Sequence, residues 1–187
     1  MALLFMLAAL TLTASNVAYS KGVYQTGPDF IAAYFQPSPQ PKSLWLTPEL
    51  KDVASQILGN RVRGIRVRYW KEEDKTAWIM EEIGKELPIT IGVVVKGSLA
   101  DAHIEQVKIL AFRESRGWEV RYSAFTDQYQ NAKITPDHKL DRHIDGITGA
   151  TLSVRAVTKV AKLALFYHQQ AILLDSNQVK TRQNNPQ

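Results

Sequence analysis

The sequence predicts an α+β fold, in which a small antiparallel sheet packs against helices. Ile89 to Lys96 and His103 to Phe112 are apolar runs with the alternation of strands, and a short turn between them indicates an antiparallel meander. From Leu152 onward apolar residues recur at helical spacing, which predicts a long C-terminal helix with one face on this sheet. The length of 187 residues suits one domain with a small N-terminal appendage.

The chain is expected to divide into four segments. Ala2 to Ala14 is apolar apart from two threonines, and Ala18-Tyr19-Ser20 has small residues where a signal peptidase cleaves. This pattern predicts a secretory signal removed before Lys21, with an uncleaved membrane anchor as the alternative. The unbroken apolar stretch is shorter than the roughly 20 residues of a spanning helix, which favours cleavage. The segments are a signal peptide at 1–20, an arm with a short helix and basic strand at 21–75, the main domain at 76–174 and a flexible tail at 175–187.

The segment before the main domain is predicted to begin as a linker or wrapping arm, because residues 21–43 are rich in Pro, Gly and Gln. Regular structure there is expected to be limited to a short turn near Phe30 to Phe35. Thr47 and Pro48 are typical of a helix start and predict a short amphipathic helix that ends before Gly59. Arg61 to Trp70 alternates like a strand and is expected to carry its arginines on one face. That face either discourages edge pairing or docks an acidic redox partner or anionic lipid headgroups.

The main domain is predicted to start with a strand at Thr76 to Ile83, with a short helix as the alternative. Trp118 to Tyr122 is expected to form a further strand of the meander, and Phe125 to Asn131 a helical turn. The residues beyond Leu174 have little apolar surface to bury, so this tail is expected to fray.

The composition excludes several classes of protein. The chain has no cysteine, which removes disulfides, iron–sulfur clusters, covalent c-type haem and a lipoprotein anchor. Its four histidines share no metal-ligand spacing, so no metal site is predicted. The net charge of +5 lies entirely beyond residue 20. Because an exported protein rarely meets nucleic acid, this charge favours an anionic membrane or an acidic partner.

The most informative segment is D-G-I-T-G-A-T-L-S, from Asp145 to Ser153, directly before the long helix. Unpaired backbone N–H groups and the positive end of the helix dipole attract an anion such as a phosphate. Gly149 permits close approach of a ligand, and Ala150 adds almost no bulk. A hydroxyl residue at a helix start is also a common N-cap, so the pattern alone leaves both roles open.

This segment resembles the flavinylation motif D-x-x-[S/T]-G-A-[S/T] of the FMN-binding domain family, which includes the flavin subunits of sodium-pumping NADH:quinone reductase and of the Rnf complex. In that family a flavin transferase moves FMN from FAD onto the last hydroxyl residue of the motif as a phosphodiester. The resemblance implies that Thr151 is the acceptor and that Thr148, Gly149 and Ala150 shape the loop. Asp145 opens the motif and is expected to be read by the transferase. Its carboxylate is expected either to lie outside the final phosphate contacts or to be bridged to the phosphate by a metal ion during attachment.

The resemblance extends over roughly Trp78 to Phe166. Besides the motif, three segments show the resemblance: K-E-L-P-I-T-I-G-V-V-V from Lys85, F-R-E-S-R-G-W-E-V from Phe112, and the segment from Phe125 to Tyr129. Family members place a loop of the E-S-x-G type beside the flavin ring. The resemblance therefore implies that four residues of this chain lie against the isoalloxazine: Glu114, Ser115, Gly117 and Trp118.

Together these observations predict an FMN-carrying electron-transfer protein in the periplasm or otherwise outside the cytoplasm, with membrane association left open. The resemblance implies two partners, a flavin transferase and a membrane-bound redox protein such as a b-type cytochrome. No substrate pocket of its own is evident, so independent enzymatic turnover is not predicted. The alternatives are a non-covalent FMN-binding sensor or reductase, and a cofactor-free binding module that uses the arginine-rich strand.

Overall fold

The computed structural model describes residues 22–183, with side chains as far as residue 177. The predicted signal sequence and its cleavage site before Lys21 lie outside the described residues. Helices and strands follow in the order α1 (Gly27–Tyr34), β1 (Lys42–Trp45), α2 (Pro48–Leu58), β2 (Arg66–Glu72), β3 (Lys75–Ile83), β4 (Pro88–Lys96), β5 (His103–Phe112), α3 (Ser123–Thr126) and α4 (Thr151–Gln183). Two single turns of 3₁₀ helix flank α3, at Trp118–Arg121 and Asp127–Tyr129.

The five strands form one antiparallel sheet in the order β1-β2-β3-β4-β5, so each strand pairs with its neighbour in sequence. The predicted α+β fold with an antiparallel meander is confirmed. β3 is a strand and not the alternative short helix, because Thr76 and Trp78 point into the core while Ala77 faces the opposite side of the sheet.

Helices cover both faces of the sheet. The 33-residue helix α4 packs on one face, where its apolar residues join a large core with Trp78, Val93 and Val107. The short helix α1 covers part of the other face and inserts Phe30 over Gly92. A Cβ at residue 92 would lie 2.6 Å from Cζ of Phe30, so only glycine permits this close approach.

A buried hydrogen-bond network fixes α4 against the sheet. Nε2–H of His168 donates to the carbonyl of Gly97 at 2.9 Å, which leaves Nδ1 to accept from the Thr76 hydroxyl at 2.8 Å. The Thr76 oxygen in turn accepts from Nε1–H of Trp78 at 2.8 Å. Because each donor meets an acceptor, His168 is held as the neutral Nε2–H tautomer.

Several local predictions were wrong. Trp118 to Tyr122 is a 3₁₀ turn and not a strand, because Gly117 in the left-handed region (φ 85°) turns the chain off the line of β5. The arm contains α1, whose N-cap Thr26 accepts from the backbone N–H of Asp29, and it also contains the start of β1 at Lys42.

The basic strand also differs from the prediction, and helix α4 extends into the predicted tail. Strand β2 begins only at Arg66, so Arg61 and Arg63 precede it and are not on its face. Helix α4 continues to Gln183, because no glycine or proline interrupts the stretch after Leu174. Asp175 is tied to the sheet by an ion pair with Lys71, at 2.9 Å between Nζ and Oδ2.

Among residues 22–183, no helix combines the length and the apolar character needed to cross a bilayer.

Candidate functional site

The start of α4 forms one wall of the candidate site. Ala150 precedes the helix, and its carbonyl accepts the first helical hydrogen bond from Val154 at 3.0 Å. The N–H groups of Thr151, Leu152 and Ser153 therefore have no carbonyl of the preceding turn to bond. Gly149 lies in the left-handed region (φ 81°), which brings the chain into the helix in a conformation that other residues adopt only with strain. Exposed donors and the positive end of a long helix thus lie together.

Buried contacts hold this helix start in place. Val154 and Val157 pack in the main core, and the Thr158 hydroxyl lies 2.7 Å from the hydroxyl of Tyr129. Burial raises the pKa of Tyr129 beyond its ordinary range, so this phenol stays neutral and can serve as a permanent hydrogen-bond partner. The helix start is therefore anchored to the segment that follows β5.

The loop after β5 forms the opposite wall. Oε1 of Glu114 accepts three backbone N–H groups of the β3–β4 turn, from Lys85 at 2.6 Å, Glu86 at 2.6 Å and Leu87 at 2.9 Å. Burial alone would raise the pKa of Glu114, but these three donors and the nearby Lys85 ammonium lower it below the ordinary value. Glu114 is thus a carboxylate at neutral pH, and it fixes the turn to the loop.

Gly117 sets how close the loop comes to the helix. A Cβ at this residue would lie 2.7 Å from Oγ of Ser153 and 3.2 Å from Cβ of Ala150. Both the left-handed backbone and this contact require glycine at position 117. The loop can therefore lie directly against the first turn of α4.

A cleft of about 570 Å³ opens between the two walls, within the range of cofactor sites. The start of α4 and the part of the loop that carries Glu114 line this cleft. Two cationic side chains, Lys85 and Arg116, line it as well. The full lining is Lys85, Glu114, Ser115, Arg116, Gly149, Ala150, Thr151, Leu152 and Ser153. Helix N–H groups together with these cations suit a phosphate, and Leu152 offers apolar surface.

A smaller cleft of about 180 Å³ adjoins the first and shares Ser115, Arg116 and Gly149 with it. Its other lining residues are Gly117, Trp118, Glu119 and Thr148. The Trp118 ring meets Tyr122 edge to face, with 5.4 Å between ring centroids. The Arg121 guanidinium lies 5.0 Å from the centroid of the exposed Trp118 ring, within the range of a cation–π interaction.

Eight of the nine residues predicted for the site line these two clefts, although about thirty residues separate their two segments. They are Glu114, Ser115, Gly117 and Trp118 from the loop, and Thr148, Gly149, Ala150 and Thr151 from the helix start. Asp145 lies outside both linings. Its backbone N–H donates to Oε1 of Gln128 at 2.7 Å, and its exposed carboxylate lies 3.7 Å from Nε2 of His143. The expectation that the Asp145 carboxylate stays away from the phosphate remains a prediction.

Five lining residues were not predicted from sequence: Lys85, Arg116, Leu152, Ser153 and Glu119. Arg116 lies inside the predicted loop and could have been included. Lys85 is contributed by the β3–β4 turn, and only the Glu114 contacts bring that turn to the cleft. Within residues 22–177, no cluster of three or more potential metal-ligating side chains is present.

Comparison with known proteins identifies the domain. The sequence model of the FMN-binding domain family matches residues 84–165, a range that includes the β3–β4 turn, the loop after β5 and the first half of α4. Residues 84–165 are an FMN-binding domain. FMN is therefore the cofactor of this flavoprotein, and every residue lining the two clefts lies within the FMN-binding domain. No curated protein and no solved structure matches the chain.

The site fits the chemistry of FMN. The phosphate requires hydrogen-bond donors and positive charge, which the first turn of α4, Lys85 and Arg116 supply. The flavin ring requires a flat apolar or aromatic surface and polar groups at its edge, and Leu152, Trp118 and Ser115 are available for these contacts.

Proposed function

We propose that this FMN-binding domain carries its FMN as a phosphodiester on Thr151 and acts as an electron carrier outside the cytoplasm. The observation that carries the proposal is the position of Thr151. It is exposed, it is the first residue of α4, and it lines the larger cleft between the helix start and the loop. Its hydroxyl is therefore accessible to an enzyme that delivers FMN, while the neighbouring groups can hold the product.

The attachment reaction is a phosphoryl transfer with FAD as the donor. A bond forms between Oγ1 of Thr151 and the phosphorus of the FMN half, the P–O–P bond of FAD breaks and AMP leaves. The threonine proton passes to a base of the transferase or to water. The FMN-binding domain contributes the acceptor hydroxyl. The N–H groups of the first turn of α4 stabilise the negative charge of the phosphate.

Different residues of the cleft are proposed to hold different parts of the cofactor. Lys85 and Arg116 offset the negative charge of the phosphodiester, and Gly149 leaves room for it. The loop from Glu114 to Trp118 is proposed to contact the flavin ring. When bound, FMN accepts and donates one or two electrons, and the protein supplies its position and electrostatic surroundings.

Covalent attachment suits a carrier outside the cytoplasm, because a loosely bound FMN would be lost to the dilute exterior. The predicted signal sequence over residues 1–20 is the support for export. The proposed partners are a flavin transferase, which reads the motif from Asp145, and a membrane-bound redox protein such as a b-type cytochrome. No independent substrate turnover is proposed.

Coexpression with a flavin transferase tests the attachment. We expect intact mass spectrometry to show one added FMN, and tandem mass spectrometry to locate it on Thr151. Thr151→Ala and Thr151→Val should abolish the added mass, whereas Thr151→Ser should retain it because the hydroxyl remains. Thr148→Ala is the matched control, since it removes a hydroxyl of the same motif that is proposed only to shape the loop.

The outcome of this experiment separates the remaining functions. FMN on Thr148 or Ser153 would contradict the assignment of Thr151. Yellow protein that loses its absorbance on denaturation and gel filtration would show a non-covalent sensor or reductase instead. Protein that stays colourless with both FMN and transferase present would favour a binding module that acts through the arginine-rich strand.

A further inference from the structure

The sheet carries a second chemically distinctive surface away from the FMN cleft. On β2, Arg66 and Arg68 point away from α4, because the alternate residues Val67 and Tyr69 pack in the main core. In the register of β1 and β2, Trp45 lies opposite Arg66, and Ser43 lies opposite Arg68. The Arg66 guanidinium lies 5.6 Å from the centroid of the Trp45 ring.

Protection of a sheet edge does not explain these arginines. Strand β2 is hydrogen-bonded on both sides, to β1 and to β3, so it exposes no free edge. The nearby Arg61 and Arg63 add two further positive charges on the segment that leads into β2. Among the described residues, no carboxylate oxygen lies within 4.0 Å of a guanidinium nitrogen of these four arginines. Their charge is therefore available to a ligand.

Apolar groups surround the arginines. Trp45 is 59 % exposed and Ile65 is 64 % exposed, which are high values for such large apolar side chains. An open groove of about 380 Å³ runs beside them, lined by Ser43, Arg66, Arg68, Trp70 and Ile79. We call Trp45, Ile65, Arg66 and Arg68 the arginine–tryptophan patch.

The patch lies at the same end of the sheet as the larger cleft of the FMN-binding domain, which we call the FMN cleft. Strand β1 ends at Trp45 where β2 begins, and the antiparallel order places the end of β3, the start of β4 and the end of β5 at that same end. Three further exposed apolar residues belong to this end of the molecule: Ile83 and Leu87 beside the β3–β4 turn, and Leu152 in the cleft. Across four strand spacings of about 4.8 Å, this end is about 19 Å wide.

We propose that the arginine–tryptophan patch binds the surface of an anionic membrane. Guanidinium groups form paired hydrogen bonds with phosphate, which is the group that every phospholipid headgroup presents. Indole rings favour the depth of the headgroups, where their apolar area leaves water and the N–H can still be hydrogen-bonded. The patch places these two kinds of side chain side by side.

The spacing of the exposed groups favours a membrane over an acidic protein. Trp45 and Ile65 lie at the β1–β2 side, while Leu87 and Leu152 lie at the FMN cleft, with Lys85 and Arg116 beside them. These groups are spread along one end of the sheet, and an extended surface that is both anionic and apolar matches this spread better than a single acidic segment does. Where the FMN site functions as proposed above, this orientation turns the flavin towards a membrane-bound partner.

Because the chain has no cysteine, a single introduced cysteine can be labelled at one chosen position. In the mature protein that begins at Lys21 and carries FMN, Ser43→Cys receives an environment-sensitive fluorophore beside the patch. Ser98→Cys is the matched control, because it is exposed in the β4–β5 turn at the opposite end of the sheet. We expect vesicles of equal parts phosphatidylcholine and phosphatidylglycerol to shift the emission of the Ser43 label to shorter wavelength, and vesicles of phosphatidylcholine alone to leave it unchanged. The Ser98 label should respond to neither.

Charge variants test whether the patch itself is responsible. In the labelled protein, the double variant Arg66→Gln and Arg68→Gln should weaken vesicle binding by about tenfold or more, and added salt should weaken binding by the original protein. Lys96→Gln with Lys108→Gln removes the same charge elsewhere on the sheet and should have a much smaller effect. Equal losses in the two double variants would overturn the proposal, because they would show a response to net charge alone.

Two other results would also overturn it. One is the absence of any label shift with anionic vesicles. The other is a shift produced by a polyglutamate peptide but not by the vesicles, which would assign the patch to an acidic protein. Flavin absorbance and the mass of the attached FMN, measured on the same samples, show whether the FMN site is intact, so failure of the patch is distinguishable from failure of the attachment.

Discussion

At the scale of single residues, Glu114 combines two effects in one side chain. Its carboxylate organises the β3–β4 turn through three N–H donors, and it also lines the FMN cleft. A negative charge near the flavin disfavours the reduced form, because reduced flavin can itself become anionic. The three donors and Lys85 offset part of this charge, so we expect a moderate effect on a flavin bound in the cleft.

Glu114→Gln is therefore expected to raise the reduction potential of the flavin by an amount on the order of tens of millivolts. It should leave attachment at Thr151 in place. A redox titration followed by flavin absorbance measures the shift. Trp118→Ala is the companion variant and should alter the flavin spectrum by removing a ring-facing indole. An unchanged potential in the first variant together with an unchanged spectrum in the second would place the loop away from the ring.

The glycines of the site offer a second prediction at this scale. Gly117→Ala combines a positive φ with a contact of 2.7 Å to Oγ of Ser153, so we expect a loss of about 2–3 kcal/mol in the free energy of unfolding and weaker FMN retention. Gly149→Ala has the same kind of φ but open space, and should cost about 1 kcal/mol.

Gly146→Ala is the matched control for both variants, because its Cβ would meet no atom within 4 Å. Urea unfolding measures all three variants under the same conditions. Equal losses for Gly117→Ala and Gly149→Ala would mean that contact between the loop and α4 does not contribute.

At the scale of helices and strands, the two faces of the sheet carry different functions. Helix α4 delivers Thr151 to the cleft and is fixed by the main core, whereas α1 covers the other face through a small cluster around Phe30 and Leu110. Among the described residues, the buried clusters on the two faces share no member. Damage to α1 should therefore lower stability without disturbing the FMN site.

Gly92→Ala tests this separation, because its Cβ would meet three atoms of the Phe30 ring at 2.6–2.8 Å. We expect the free energy of unfolding to fall by about 1–3 kcal/mol, the usual cost of overpacking a core. FMN attachment at Thr151 should proceed normally in the protein that remains folded. Chemical denaturation and intact mass measure the two effects separately, and a parallel loss of attachment would show that the layers are coupled.

At the scale of the whole molecule, the His168 network joins α4, β3 and the β4–β5 turn in the core. Desolvation lowers the pKa of His168, with Lys71 and His103 acting in the same direction, while the Gly97 carbonyl and Asp74 oppose the shift. The folded protein thus holds this residue neutral at a pH where the unfolded chain already binds a proton.

Stability is therefore expected to fall as the pH drops below about 6.5, the ordinary pKa of histidine, and to be retained above it. The slope contributed by one such group reaches at most about 1.4 kcal/mol per pH unit. Urea unfolding at about pH 7.5 and about pH 5.5 measures the difference. His168→Gln should reduce this difference, whereas His143→Gln, at an exposed histidine, should leave it unchanged. Equal pH dependence in the two variants would exclude His168 as the source.

Cellular location is also a question at the scale of the whole molecule. We predict that the mature protein begins near Lys21 and lies outside the cytoplasm, as the apolar start and the Ala18-Tyr19-Ser20 site indicate. Cell fractionation and N-terminal sequencing measure this. Full-length protein that resists extraction by high salt and alkali would show that the segment anchors the protein instead.

The sequence by itself determined the parts of this protein that depend on local pattern. Strands β4 and β5 and the start of α4 were predictable because their apolar alternation and helical spacing are long and regular. Eight of the residues that line the two clefts were predicted through a resemblance in short segments, and the match to the FMN-binding domain family confirms the cofactor. By contrast, the 3₁₀ turn at Trp118 was misread as a strand, since a single turn and a short strand can share one alternating pattern.

Only the tertiary structure decided which distant residues meet. It brought Lys85 to the cleft through the Glu114 contacts, and it placed β2 inside the sheet, which removed edge protection as the reason for Arg66 and Arg68. The physical reason is that hydrogen bonds and packing between segments far apart in sequence leave no trace in the local spacing of either segment. Composition showed that the chain is basic, but the arrangement of the strands determined where that charge is exposed.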